Sequence, residues 1–111
     1  MSVFLCNLSD LLEDKWMTFS VPEGHEDETY MVKKQGDNIF IYRNFCPHQG
    51  RRLDYAPGEF LETPDKQVVC PAHGATFKTE DGFCTGGPCA GDSLKAIPIS
   101  VKDKQVFIDV I

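Results

Sequence analysis

Two short stretches of this sequence each bring one thiol and one imidazole together. The first reads C-P-H-Q-G and supplies Cys46 and His48; the second reads C-P-A-H-G and supplies Cys70 and His73. Thiolate and imidazole are both good ligands for soft and borderline metal ions. The two stretches therefore predict a single metal centre to which each of two loops contributes one cysteine and one histidine.

The spacing of these residues indicates which kind of centre they form. Zinc sites with two cysteines and two histidines usually open with two closely spaced cysteines and close with two closely spaced histidines. Here each loop carries one residue of each type, which suits a binuclear centre with two cysteines on one iron, two histidines on the other and bridging sulfides between them. Two ferric ions, two sulfides, two thiolates and neutral imidazoles have formal charges that sum to zero, so reduction adds only one negative charge. A zinc-stabilised interaction module is the alternative interpretation.

These motifs resemble those of the Rieske family, and most of all those of the small soluble Rieske-type ferredoxins that serve bacterial ring-hydroxylating oxygenases. C-P-H-Q-G-R-R-L matches the family pattern Cys-x-His-x-Gly-x-x-Leu, and C-P-A-H-G-A-T-F matches the second ligand motif. The resemblance covers nearly the whole chain, because Gly82, the Gly87-Pro88 pair, Leu94 and Pro98 match the third loop and the closing strands. It implies a Rieske [2Fe–2S] cluster, one per chain.

The resemblance also implies the ligands and the function. The four ligands would be Cys46, His48, Cys70 and His73, and the protein would be a one-electron carrier between a reductase and an oxygenase. The partners would dock transiently near the two histidines, at the surface of the protein. A second hypothesis is the Rieske-like small subunit of an assimilatory nitrite reductase, although members of that family often depart from the cluster motif.

Two departures from the respiratory-chain members of the family imply a low reduction potential. Those members carry a serine and a tyrosine hydroxyl two and four residues after the second histidine, where this chain has Ala75 and Phe77. They also carry a loop-clamping disulfide, where this chain has Arg51 and Ala72. Hydrogen bonds to the cluster sulfurs raise the potential, so we expect a value toward the low end of the range of about −150 to +300 mV.

The composition argues against a catalytic role for the chain itself. An oxygenase of this family also needs a mononuclear iron with two histidines and one carboxylate, and only His25 remains once the cluster has its two. No G-x-G-x-x-G fingerprint for a flavin or dinucleotide occurs. We therefore expect an electron-transfer component with no catalytic residues.

The rest of the sequence predicts a small all-β fold. Its 111 residues suit one domain over 1–111, and short runs rich in branched and aromatic residues predict antiparallel strands in a sandwich or barrel. The predicted strands span 15–21, 29–33, 38–43, 67–70, 94–101 and 105–111. One helical turn is expected over 9–15, capped by Ser9, and two loops rich in Pro and Gly, about 45–58 and 70–91, would bind the cluster.

The segment between the ligand motifs and two arginines need separate interpretation. With 21 residues between His48 and Cys70, the ligand motifs lie further apart than is common in the family, and we expect the surplus over 59–66 to form a protruding hairpin. Arg51 and Arg52 could form a positive rim for partner docking, or balance the acidic residues Asp54 and Glu59 as solvated surface charge.

Charge and cysteine usage bear on location and partners. The formal net charge of −6 argues against nucleic acid as a partner, and the sequence shows neither a signal peptide nor a membrane-spanning stretch. We therefore expect a cytoplasmic protein. In that compartment free thiols are favoured over a disulfide for Cys84 and Cys89, and Cys6 is expected to be a small buried residue.

Overall fold

The computed structural model describes residues 2–21, 29–47, 52–72, 74–87 and 91–109. Within these ranges the chain forms short strands and one 3-10 turn, Leu8–Asp10. The strands are β1 Ser2–Asn7, β2 Met17–Ser20, β3 Thr29–Gln35, β4 Asn38–Arg43, β5 Leu61–Glu62, β6 Val68–Val69, β7 Thr76–Phe77, β8 Cys84–Gly86, β9 Ile99–Lys102 and β10 Gln105–Asp109.

The strands form three antiparallel sheets, which confirms the predicted all-β fold. Their orders are β1-β10-β9, β2-β3-β4 and β5-β6-β7-β8. The first two sheets share a core, to which β10 contributes alternate residues: Val106 and Ile108 are fully buried while Asp109 faces outward. Among the described residues, no helix is long and apolar enough to cross a membrane.

Three local predictions differ from the structure. The strand predicted over 94–101 is confined to β9, Ile99–Lys102. The helical turn over 9–15 is absent; the chain makes only the 3-10 turn Leu8–Asp10, whose last side chain accepts a hydrogen bond from the Asn7 backbone N–H at 2.9 Å. Strand β1 was not predicted at all. Its pairing with β10 is interrupted by an irregularity between Phe4 and Cys6, so two consecutive residues, Leu5 and Cys6, are both buried. That break hides the period-two pattern by which strands are recognised.

The sheet β5-β6-β7-β8 is joined to the rest of the protein by a second buried core. Some of its residues come from β3, β4 and the segment before β2, and the others come from strands β6, β7 and β8 and from the loops between β4 and β9. It comprises Trp16, Met31, Tyr42, Cys46, Leu53, Val68, Cys70, Ala75, Phe77, Cys84 and Leu94. Both cysteines of the ligand motifs lie in it.

The surplus segment between the ligand motifs forms the β5–β6 hairpin, as predicted, but it is anchored rather than simply protruding. Its turn is closed by backbone hydrogen bonds from Thr63 N–H to Gln67 O and from Lys66 N–H to Thr63 O, both 2.9 Å long. The Lys66 side chain forms an ion pair with Asp14, and the Phe60 ring lies 6.2 Å from the Trp16 ring, centroid to centroid. The contacts of Lys66 and Phe60 join residues that are remote in sequence, so they could not be predicted from it.

Candidate metal centre

The first ligand motif is separated from the end of β4 by only two residues, and its cysteine is buried. The backbone N–H of Asn44 donates to Thr29 O, and that of Phe45 donates to Arg43 O, each at 2.9 Å. This brings the chain over the end of the sheet and places Cys46 in the second core, with 1% of its surface exposed.

The second ligand motif begins after β6 and forms a tight turn. The N–H of Cys70 donates to Ala75 O at 2.7 Å, and the N–H of Gly74 donates to Cys70 O at 2.9 Å. Gly74 has a φ of +75°, a conformation that glycine adopts without steric cost. The turn leaves Cys70 1% exposed, in the same buried core as Cys46.

The remaining predicted site residues are outside the described part of the chain. These are His48, Gly50, Arg51, His73, Pro88 and Cys89, together with His25. The positions of the two histidines therefore stay predictions. Among the described residues, no three histidine, cysteine, aspartate or glutamate side chains are grouped so that they could hold a metal ion.

The surroundings of the two cysteines fit an iron–sulfur cluster. The other members of the second core are aliphatic and aromatic side chains and one further thiol. A thiolate buried in such surroundings requires a compensating positive charge, and a metal ion supplies it. By contrast, Cys6 lies in the core shared by the first two sheets. There burial, with a smaller contribution from the charge of Asp10, raises the pKa of its thiol to about 11. It stays a protonated, apolar-like thiol, as the sequence predicted.

The third loop packs directly on the second ligand motif. A Cβ added to Gly87 would lie 2.7 Å from the Cα of Ala75 and 3.1 Å from its backbone N. The buried Cys84 thiol of β8 is not disulfide-bonded and donates to Gly86 O at 3.1 Å. Gly86 and Gly87 therefore bring the third loop against the turn that presents Cys70, at a separation that no larger residue at position 87 would allow.

A polar network links the two ends of the first ligand loop. The Asp54 carboxylate accepts hydrogen bonds from Asn44 Nδ2 at 2.9 Å, from Gly58 N–H at 3.1 Å, and from Arg52 Nε and Nη2 at 2.8 and 2.6 Å. Burial raises the pKa of Asp54, but the hydrogen bonds from Arg52, Asn44 and Gly58 outweigh it and hold the pKa below its usual value. The carboxylate is therefore ionised at neutral pH.

This network was largely missed at the level of the sequence. One of the two alternatives for Arg52 places Asp54 among solvated surface charges, and the sequence did not single out Asn44; both residues are buried. The available indication in the sequence was position: Asn44 lies two residues before the first ligand motif, and Asp54 directly follows its last residue, Leu53.

Among the described members of the second core, Tyr42 carries a hydroxyl, and this hydroxyl is engaged away from the ligand motifs. It donates to Thr79 O at 2.6 Å, and burial, followed by Asp81 and Glu80, raises the Tyr42 pKa to about 12. Ala75 and Phe77, which occupy the positions of the two tuning hydroxyls, are both buried in this core. The described side chains are thus consistent with the expected low potential.

The family assignment follows from comparison with known proteins. The model of the Rieske [2Fe-2S] domain matches residues 1–101, and the chain therefore belongs to the Rieske [2Fe-2S] domain family, whose cofactor is a Rieske-type cluster. A comparison with curated protein sequences found no match.

Solved structures share the fold. The ferredoxin of carbazole 1,9a-dioxygenase from Nocardioides aromaticivorans IC177 has a TM-score of 0.74 and 22% identity, over 97% of this chain and 96% of that chain. A chain from a complex of reduced oxygenase and oxidized ferredoxin in carbazole 1,9a-dioxygenase has a TM-score of 0.71 and 20% identity, over 96% and 91%. The terminal oxygenase of carbazole 1,9a-dioxygenase from Novosphingobium sp. KA1 has a TM-score of 0.77 and 16% identity, but the match spans 98% of this chain and only 29% of the oxygenase.

Proposed function

We propose that this protein is a one-electron carrier in which Cys46 and Cys70 bind one iron of a Rieske [2Fe–2S] cluster and His48 and His73 bind the other. The observation that carries the proposal is that both cysteines, from loops 24 positions apart in the sequence, are buried in one apolar core. When bound, the cluster takes up and releases one electron. The surrounding side chains exclude water from the cysteine side and hold the two loops in place.

The partners are inferred from the shared fold. The described similarity extends over nearly the full length of a ferredoxin but over less than a third of an oxygenase chain, which favours a separate carrier over an enzyme. One related structure is described as a complex of oxygenase and ferredoxin. We infer that a reductase supplies the electron and that an oxygenase accepts it, both docking transiently near His48 and His73 in the cytoplasm. Transient redox contacts of this kind are small.

The visible and EPR spectra of purified protein, before and after dithionite, test the proposal. We expect a brown protein that bleaches partly on reduction and gives a Rieske-type EPR signal. Cys70→Ala should remove both signals, whereas Cys84→Ala, which truncates another buried thiol of the same core, should keep them. A protein that stays colourless after anaerobic reconstitution with iron and sulfide, or that contains zinc, would contradict the carrier function.

The predicted low potential can be tested by restoring the missing hydroxyls. Ala75→Ser and Phe77→Tyr should each raise the midpoint potential, because a hydrogen bond to a cluster sulfur stabilises the reduced, more negative state. A differential stabilisation of about 1.4 kcal/mol corresponds to roughly 59 mV for one electron, so shifts of several tens of mV are expected in a redox titration. Phe83→Tyr adds the same hydroxyl at an exposed position and should leave the potential unchanged. Unshifted potentials in both core variants, with the cluster retained, would refute this explanation.

A further inference from the structure

We propose that Asp54 is the positioning residue of the first ligand loop, residues 45–53: its carboxylate ties the chain that enters the loop to the chain that leaves it. The inference rests on the proposed function, since it assigns Cys46 and His48 of this loop to the cluster. It also gives Arg52 a function, as the partner that holds this carboxylate in place.

Asn44 fixes the beginning of the loop. Its backbone N–H donates to Thr29 O at 2.9 Å and its Nδ2 donates to Thr29 Oγ1 at 3.1 Å, which fastens it to the start of β3. Its Oδ1 accepts from the backbone N–H of Leu53 at 2.8 Å, and its Nδ2 also donates to Asp54. One buried amide therefore holds the last residue of the loop against the strand from which the loop departs.

Asp54 fixes the end of the loop. It receives four donors, from Asn44, from two nitrogens of Arg52 and from the backbone of Gly58. A carboxylate offers about four lone-pair positions, so this one is fully used. Its side chain is 1% exposed, and hydrogen bonds sheltered from water in this way are stronger and more costly to break than those at the surface.

We call the hydrogen bonds that join Asn44, Asp54 and Arg52 the clamp. The clamp is connected to the proposed cluster through Leu53, whose N–H donates to Asn44. Leu53 is fully buried in the second core, together with Cys46 and Cys70. Releasing the Asp54 carboxylate would free the Asn44 amide, the amide would release the Leu53 N–H, and the loop bearing Cys46 would lose its fixed end. Asp54 thus acts through Asn44 and Leu53. The clamp stabilises a loop that lacks the disulfide of the respiratory-chain members, because Arg51 and Ala72 stand in place of its two cysteines.

Arg52 completes the clamp by geometry that lysine does not reproduce. Its guanidinium meets both carboxylate oxygens, Nε on Oδ1 and Nη2 on Oδ2. Such a planar two-point contact fixes the orientation of the carboxylate as well as its charge. This contact favours the charge-balancing interpretation of Arg52 over the docking interpretation.

The test compares holoprotein variants by two measurements that do not depend on electron transfer. The first is the rate of cluster release to a chelator, followed by visible absorbance; the second is deuterium uptake across residues 52–58 by mass spectrometry. Asp54→Asn should release its cluster about tenfold to a hundredfold faster, as expected for loss of charged hydrogen bonds, and exchange faster at Leu53 and Gly58. Arg52→Gln should do the same to a smaller extent, and Arg52→Lys should lie between it and the wild type.

Two comparisons make the result specific to the clamp. Asp65→Asn removes a carboxylate that accepts hydrogen bonds from Thr63 and Gln67 on the exposed hairpin turn, and it should match the wild type in both measurements. The double variant Arg52→Gln/Asp54→Asn should be no worse than Asp54→Asn, because both act through one carboxylate.

Wild-type release and exchange in both Asp54→Asn and Arg52→Gln would overturn the proposal, as would an equal effect of Asp65→Asn. If Asp54→Asn does not accumulate as folded protein, Arg52→Gln decides, because its side chain is 41% exposed and its loss leaves no large buried cavity. Wild-type protein that never carries a cluster would refute the proposed function instead; the exchange measurement on the same variants would still report on the clamp.

Discussion

Gly87→Ala is expected to deprive the protein of its cluster, while Gly91→Ala should leave the cluster bound. A Cβ at position 87 would lie 2.7 Å from the Cα of Ala75 and 3.1 Å from its N. These are backbone atoms, so no side-chain rotation can relieve the overlap, and the second ligand turn must move. Because Ala75 O accepts the hydrogen bond from Cys70 N–H at 2.7 Å, this movement displaces a proposed iron ligand.

Gly91 provides a matched control for the conformational part of the effect. Both glycines have positive φ, +85° at Gly87 and +95° at Gly91, and a Cβ at Gly91 would meet no atom of the described residues within 4 Å. Each substitution costs about 1–2 kcal/mol for an unfavourable backbone conformation, but only one of them creates a collision. Iron and sulfide content per chain and the visible absorbance of the purified variants measure the difference. Full cluster occupancy in Gly87→Ala, or equal losses in both variants, would show that the close approach is unimportant.

The proposed ligands could be predicted from the sequence because the information is local. Each ligand loop carries its cysteine and histidine within four residues, so their types and spacing are visible without knowledge of the fold. The same holds for β10, where strict alternation places Val106 and Ile108 in the core. The predicted strands 29–33 and 38–43 are equally local, since they form a hairpin in which only Gly36 and Asp37 separate β3 from β4.

The polar networks could not be predicted because their members meet only through tertiary structure. Asn44 and Asp54 are separated by the whole first ligand loop, and nothing in their types distinguishes a buried clamp from solvated polar residues. Lys33 is the extreme case: it ends the predicted strand 29–33, where nothing in the sequence marks it as buried, yet it is fully buried. Burial of a lysine depends on where its partners lie, and those partners come from two other segments of the chain.

Lys33→Met is expected to leave the free energy of unfolding unchanged or slightly increased, whereas Asp14→Asn should lower it by about 3 kcal/mol. The ammonium group of Lys33 lies 3.4 Å from Asp14 Oδ1 and 3.7 Å from Glu62 Oε1, both longer than an ordinary charged hydrogen bond. It also lies 5.4 Å from the centroid of the Trp16 ring. A buried charge held by such long contacts does not recover its full cost of desolvation.

The two substitutions differ because they leave different groups behind. Without Lys33, the two carboxylates remain partly exposed, and Asp14 retains its ion pair with Lys66; the thioether of methionine fills the space and packs well against an aromatic ring. Without the charge of Asp14, the fully buried ammonium has only the longer contact to Glu62 among the partners described here. Asparagine is the appropriate replacement because Asp14 has a φ of +58°, which asparagine tolerates.

Denaturant unfolding of four proteins measures these effects: the wild type, both single variants and the double variant. Lys33→Met should rescue most of the loss caused by Asp14→Asn, because the double variant no longer buries a charge, and the cycle isolates this coupling. Lys34→Met is the matched control and should change the stability little, since the neighbouring lysine forms a more exposed ion pair with Glu13 at 3.1 Å, and exposed pairs contribute little to stability. The opposite result would be strong destabilisation by Lys33→Met, or a double variant as unstable as Asp14→Asn. It would mean that the buried ammonium itself stabilises the contact between the β5–β6 hairpin and the sheet β2-β3-β4.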